Sequence, residues 1–72
     1  MGNKGKVKWF DAKKGYGFIV TSKMEEYFFH YSSILQNGYK KLEPGDVVTF
    51  DLIAGKEGKM VAINVSKEQL GN

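Results

Sequence analysis

The chain has 72 residues, no cysteine and a formal charge of +3, from 11 basic and 8 acidic side chains. This length supports one domain, and the lack of cysteine excludes disulfides and thiolate metal sites. No apolar run approaches the length of a membrane span, and the N-terminal residues lack the hydrophobic stretch of a secretory signal. We therefore expect a soluble cytoplasmic monomer without a bound metal or cofactor.

The charge is distributed unevenly along the chain. Every basic residue is a lysine, and five of them lie in the first fourteen residues against Asp11 alone. Lysine suits phosphate groups, whereas arginine is the usual reader of guanine edges. A lysine-only protein that binds nucleic acid is expected to hold the backbone and to read base edges weakly. A charge run by itself is more typical of a solvated surface.

Short β-favouring stretches follow one another between turn residues. The predicted strands cover residues 5–10, 16–21, 27–31, 47–54 and 59–66. The Ser-Ser pair that opens the link over 32–46 favours one helical turn, and no segment has the period of a full helix. Five short strands must hide their edges, which predicts an all-β, small closed or nearly closed barrel. We expect a single domain over 1–72, with an ordered core at about 4–66 and a frayed tail over 67–72.

The side-chain period of two sorts the aromatic residues into faces. In the second strand Ile19 is the natural core residue, so Tyr16 and Phe18 point outward. In the third strand Phe28 shares the outer face with His30, and Tyr27 and Phe29 point inward. The glycine between the two outward rings, Gly17, is expected to let a strand or a core ring approach closely.

Alternation does not decide which aromatic rings of the first strand point outward. If Val7 is buried, strict alternation places Trp9 inside and Phe10 outside, and only a bulge would bring both rings to the side of Lys8. In the fourth predicted strand Val48, Phe50 and Leu52 share one face, and in the fifth Val61, Ile63 and Val65 are expected to lie in phase.

Outward rings beside lysines match the chemistry of single-stranded nucleic acid, because bases stack on rings while lysines follow the phosphates. The competing interpretation is a dense aromatic core, although ten rings are many for a domain of this size. A second alternative is a barrel that binds a proline-rich or methylated-lysine peptide, which the lysine rim disfavours. A nuclease is disfavoured because the one histidine has no paired carboxylates in the aromatic motifs.

Three motifs, "GKVKWF" (5–10), "KGYGFI" (14–19) and "YFFHY" (27–31), occur in an order and spacing that resemble the cold shock domain. The stretch "GYKKLEPGDVVTF" (38–50) is similar to the long loop and fourth strand of that family. The first aromatic motif also fits the RRM fold, but the two amphipathic helices of that fold are missing. The resemblance implies a five-stranded antiparallel OB-type barrel that binds single-stranded RNA and DNA, has no enzymatic activity and opposes RNA secondary structure in cold, stress or general gene expression.

Carried over by position, the resemblance implies a binding platform in which Tyr39 adds a ring from the long loop and Phe10 is a partial member. Its members are Lys8, Trp9, Phe10, Lys13, Lys14, Tyr16, Phe18, Phe28, His30, Tyr31 and Tyr39. The family pattern also favours the bulge that turns Trp9 outward. Asp11, Tyr27, Phe29 and a last hairpin about one residue longer depart from the usual pattern. We expect Asp11 to repel phosphate and the phenol of Tyr27 to need a partner.

Overall fold

A computed structural model describes residues 3–35 and 42–68. The strands are β1 (Asn3–Asp11), β2 (Tyr16–Val20), β3 (Glu26–His30), β4 (Val47–Ala54) and β5 (Met60–Lys67), with short 3₁₀ turns at Tyr31–Ser33 and Lys56–Gly58. The described residues contain no α-helix, as the sequence predicted, and hence no helix able to cross a membrane. β5 extends to Lys67, one residue beyond the expected end of the ordered core.

The strands close into a barrel in the order β1-β2-β3-β5-β4. This confirms the predicted five-stranded barrel, with one difference in strand direction. β3 and β5 pair in parallel, through Phe28 with Val61 and Phe29 with Ala62, and the other four pairings are antiparallel. A ring with an odd number of strands cannot alternate direction throughout, so closing five strands requires at least one parallel pair.

The barrel interior is apolar throughout the described residues, with no buried polar side chain among them. Ile19 and Phe29 are fully buried, as alternation predicted. Phe10, Tyr27 and Leu52 pack against this core from partly buried positions. The buried set is Val7, Ile19, Phe29, Ile34, Leu42, Val48, Phe50, Ala62 and Val65.

The phase of β5 differs from the prediction. Ala62 and Val65 are buried, whereas Val61 and Ile63 are only partly covered. Asn64 has a φ of 53°, and the β4–β5 register shifts beside it, between Thr49 and Asp51. This bulge changes the phase of the strand after Ala62. The prediction that Val61, Ile63 and Val65 lie in phase was therefore wrong, because Val65 is buried and the other two are not.

Candidate nucleic-acid interface

A bulge in β1 sets the direction of its two rings. Val7 pairs with Ile19, but the next pairing joins Trp9 to Phe18, so Lys8 is the extra residue. Trp9 consequently lies on the outer face, where 36% of it is exposed. Phe10 turns inward and stacks on Phe29, with ring centroids 5.7 Å apart. The bulge favoured by the family pattern is present, but it separates the two rings instead of bringing both outward.

Four aromatic rings meet on the outer face of β1, β2 and β3, and we call Trp9, Tyr16, Phe18 and Phe28 the ring platform. Trp9 lies 5.4 Å from both Tyr16 and Phe18, measured between ring centroids. Phe28 lies 5.5 Å from Tyr16 and 5.8 Å from Phe18. Each ring therefore touches two others, and the edge-on and tilted contacts restrain all four.

Gly17 allows this arrangement by having no side chain. It pairs with Phe10 on one side and Phe29 on the other. A Cβ at Gly17 would lie 2.9 Å from the Cα of Phe10 and 3.0 Å from Cζ of Phe29, and closer still to the carbonyl oxygen of Trp9. The close approach predicted from the sequence is confirmed. β1 and β2 can lie this near each other only over a glycine.

His30 continues the outer face at the end of β3, opposite Tyr16. Its Nδ1 accepts a hydrogen bond from the backbone N–H of Ser32 at 3.1 Å, and Nδ1 and the Ser32 hydroxyl are 2.9 Å apart. In the neutral ring this leaves the proton on Nε2, as a donor. The strand ends here, so Tyr31 begins the 3₁₀ turn, and 42% of it is exposed.

The turn between β1 and β2 presents two lysines beside the ring platform. Asp11 Oδ1 accepts hydrogen bonds from the backbone N–H groups of Lys13 and Lys14, both at 3.0 Å. The Asp11 carbonyl accepts a further bond from Gly15 N–H at 2.8 Å, and Gly15 has a φ of 81°. Asp11 thus shapes the turn that exposes both lysines, a role that its expected repulsion of phosphate did not suggest.

The remaining lysine of the predicted platform, Lys8, is engaged in an ion pair. Its Nζ lies 2.7 Å from Glu26 Oε2, so the side chain reaches from β1 across β2 to β3. Both side chains are about half exposed, and such pairs contribute little to stability, about 0–1 kcal/mol. Lys8 can therefore exchange Glu26 for a phosphate at small cost.

Tyr27 lies on the inner side, at the rim of the barrel. Its ring packs on Phe50, with centroids 6.0 Å apart, and its hydroxyl donates a hydrogen bond to Glu25 Oε1 at 3.1 Å. The partner that the sequence required for this phenol is therefore Glu25. That hydrogen bond, together with partial burial and the charge of Glu25, raises the pKa of Tyr27 above its usual value of 10.0.

The structure adds a basic and apolar groove of about 500 Å³, which we call the hairpin groove. Its lining includes Phe18, Glu26, Phe28, Lys56, Lys59 and Met60. The parallel pairing of β3 with β5 brings the β4–β5 hairpin beside the ring platform. Lys56, Lys59 and Met60 were not predicted as site residues, because alternation within a strand does not show which strand becomes its neighbour. The local signal was the pair of lysines, Lys56 and Lys59, that precede the exposed Met60.

The outer face thus collects most of the predicted site residues in one surface. Lys8, Trp9, Tyr16, Phe18, Phe28 and His30 come together on the sheet, with Lys13, Lys14 and Tyr31 at one end. Phe10 lies on the core side, and Tyr39 falls outside the described residues. No group of side chains that would hold a metal ion occurs within 3–35 and 42–68.

Comparison with known proteins agrees with this geometry. The profile of the 'Cold-shock' DNA-binding domain family matches residues 3–68. The chain is 49% identical over 63 residues to the cold shock-like protein CspC of Bacillus cereus, across 88% of this chain and 95% of that protein. It is 49% identical over 59 residues to a cold shock-like protein of Thermotoga maritima, across 82% of this chain and 89% of that one.

A solved structure, drosophila Unr CSD456, superposes with a TM-score of 0.79 at 21% identity, over 97% of this chain and 28% of that longer chain. At this identity the likeness shows a shared fold. The family matched by sequence binds nucleic acid and is not enzymatic. On the profile match and these identities, the chain belongs to the cold-shock domain family.

Proposed function

We propose that the chain binds single-stranded RNA and DNA by stacking bases on the ring platform and on His30. The observation that carries the proposal is the contact of four outward rings, each within 5.8 Å of two others, beside exposed lysines. Packed rings lose little conformational freedom when a base stacks on them, so less of the stacking energy is spent on ordering the site.

The size of the stacking term fits a protein of moderate affinity. Each stacked base contributes about 1–3 kcal/mol, so three bases give a gross contribution of about 3–9 kcal/mol. Micromolar binding requires about 8 kcal/mol. The rings therefore need help from phosphate contacts, which Lys13 and Lys14 are placed to give from the turn beside Tyr16.

Stacking on rings also explains a preference for unpaired strands. In a duplex the base faces are covered by their neighbours, so the ring platform has access only to unpaired bases. A strand held this way cannot pair, and each bound base opposes local secondary structure. With lysine as the only basic residue, base edges are read weakly and sequence preference is broad. We propose this chaperone activity for a monomer acting on cytoplasmic nucleic acid.

The test is a titration of Trp9 fluorescence with single-stranded RNA, single-stranded DNA and a duplex of the same sequence. Both single strands are expected to quench Trp9, and the duplex to bind far more weakly. Each phosphate contact contributes about −0.7 to the slope of the logarithm of the binding constant against the logarithm of the salt concentration. Contacts of Lys13 and Lys14 therefore predict a slope of about −1.4, and a third contact, from Lys8 released by Glu26, predicts about −2. Equal binding of duplex and single strand would contradict the proposal.

Opening of structured RNA is measured separately, with a hairpin that carries a fluorophore and a quencher. The protein is expected to shift the hairpin toward the open form in proportion to occupancy of the ring platform, without any nucleotide cofactor. If the chain binds the single strand but leaves the hairpin closed at saturation, the proposed binding function stands and the proposed chaperone activity is refuted.

A further inference from the structure

The outer face of the sheet extends beyond the ring platform, into a row of residues that the proposed function does not use. Lys6 of β1 pairs with Val20 of β2 on one side and with Val47 of β4 on the other, and Val20 pairs with Glu26. Val20 points to the same side as Phe18 because two positions separate them. This row therefore continues the same surface away from Tyr16 and toward β4.

A second groove, of about 460 Å³, lies over this row. We call it the Met24 groove, and its lining includes Lys4, Lys6, Val20, Thr21, Met24 and Val47. Its apolar side chains come from three separate segments, and Val20 and Val47 are only partly covered. Along β2 it begins two residues from Phe18, a distance of about 7 Å. Two nucleotides of a stacked strand, at about 3.4 Å each, cover that distance.

The loop between β2 and β3 holds one side of this groove in place. Thr21 N–H donates to the Glu25 carbonyl and Met24 N–H donates to the Thr21 carbonyl, both at 2.9 Å. Thr21 Oγ1 accepts two more backbone bonds, from Lys23 and Glu25. Met24 has a φ of 67°, a conformation that favours glycine, and 82% of it is exposed. A flexible thioether is thus kept at the surface in a strained backbone position, where a glycine would be easier to accommodate.

The charge of the groove matches a polyanion. Lys6 is exposed and has no ion pair within the described part of the chain, whereas Lys4 is 3.2 Å from Glu68 Oε1. Along β1, Lys8 lies between Lys6 of the groove and Trp9 of the ring platform, and its ion-pair partner Glu26 is the residue that pairs with Val20. A phosphate that binds Lys8 in place of Glu26 would lie near Lys6, which is two positions away along β1 on the same face.

We propose that a single strand lying on the ring platform continues into the Met24 groove, with a phosphate on Lys6 and a base against Val20, Val47 and the thioether of Met24. The proposal rests on the proposed function, since it extends the path of the same strand. Aliphatic and thioether groups contact aromatic faces well but read no base edge, so the added site is also insensitive to sequence.

The experiment compares a tetrathymidylate, which the ring platform accommodates alone, with a decathymidylate, which also reaches the groove. Two variants remove the groove contacts: Lys6→Gln loses the charge, and Met24→Gly loses the side chain at a φ that glycine accepts readily. For the decanucleotide we expect a loss of about two- to tenfold with Met24→Gly. We expect the salt slope to fall by about 0.7 with Lys6→Gln. Tetranucleotide affinity is expected to stay within twofold for both.

Lys23→Gln is the matched control, because Lys23 lies in the same loop, outside the Met24 groove, and carries the same charge. Equal losses for Lys23→Gln and Lys6→Gln would indicate a general charge effect and overturn the proposal. So would equal losses for the short and the long oligonucleotide, or no loss at all. Thermal unfolding of each variant shows that it is folded during the titration.

The same data separate this proposal from the function on which it rests. If the tetranucleotide fails to quench Trp9 in the unaltered chain, the ring platform does not bind bases and both proposals fall. If the tetranucleotide binds, but neither variant weakens decanucleotide binding more than tetranucleotide binding, the proposed function stands and the extension into the Met24 groove is refuted.

Discussion

Gly17→Ala is the substitution that most directly perturbs the geometry behind the ring platform. The added Cβ would meet the carbonyl oxygen of Trp9 and the Cα of Phe10, which are backbone atoms and cannot rotate away. Its third neighbour, at 3.0 Å, is Cζ of Phe29, a fully buried ring. Overpacking of this kind costs about 1–3 kcal/mol, and the rigid neighbours place Gly17 at the upper end, about 3 kcal/mol.

That loss is large for a chain of this length. At about 0.05–0.15 kcal/mol per residue, the whole domain is stabilised by about 4–11 kcal/mol. In a domain of this size each kcal/mol shifts the melting temperature by about 4–8 °C, so a melting temperature lower by about 12–24 °C is expected. Because β1 must move away from β2, Trp9 moves with it, and oligonucleotide affinity of the folded variant should fall as well.

Urea unfolding followed by Trp9 fluorescence measures the stability, and titration below the transition measures the affinity. Gly45→Ala is the control, since Gly45 has a φ of 93° and open space around it. It should lose about 1–2 kcal/mol from backbone strain alone and keep its affinity. A Gly17→Ala variant within about 0.5 kcal/mol of the unaltered chain would refute the close approach of β1 and β2.

Two further predictions concern polar groups around the barrel. Asp11→Asn keeps an acceptor for the N–H groups of Lys13 and Lys14 and removes a negative charge, so stability should change by less than about 0.5 kcal/mol while affinity for single strands at low salt rises. Asp11→Ala removes the acceptor and should lose about 1 kcal/mol of stability. Equal stability of the two variants would contradict the hydrogen-bonded turn. Folding raises the pKa of Tyr27, so the bond to Glu25 stabilises the chain fully below about pH 10 and is lost as pH rises through the folded pKa. The unfolding free energy of the unaltered chain minus that of Tyr27→Phe should fall over this range, and a pH-independent difference would exclude the bond.

How far the sequence predicts this molecule depends on whether a position follows simple alternation. Ile19, Phe29 and the outward Phe18 and Phe28 follow it, because β2 and β3 are regular and pair residue for residue. Trp9 does not follow it. The bulge at Lys8 is a property of how β1 pairs with β2, and alternation within β1 alone gave the opposite direction for that ring.

The phase of β5 and the hairpin groove were also not predicted, because both depend on how strands pair with one another. Asn64 at positive φ changes the inward phase of β5, and nothing in the run of Val61, Ala62 and Ile63 reveals the change. The hairpin groove depends on the parallel pairing of β3 with β5, two strands far apart in the chain. Local patterns therefore identified Tyr16, Phe18 and Phe28 of the ring platform, whereas the direction of Trp9 depends on the pairing of β1 with β2 and the hairpin groove depends on the closed barrel.

Phe28 and Phe29 permit the most direct test of the claim that the outer rings bind bases, because they are adjacent, chemically identical and on opposite faces. Both are replaced by leucine, and stability and single-strand affinity are measured for each variant. Phe28→Leu should lose about tenfold in affinity, as expected when a stacking ring is removed, and less than about 1 kcal/mol in stability. Phe29→Leu should lose about 1–2 kcal/mol in stability and keep its affinity within twofold. Unchanged affinity in Phe28→Leu, or equal affinity losses in the two variants, would contradict base stacking on the ring platform.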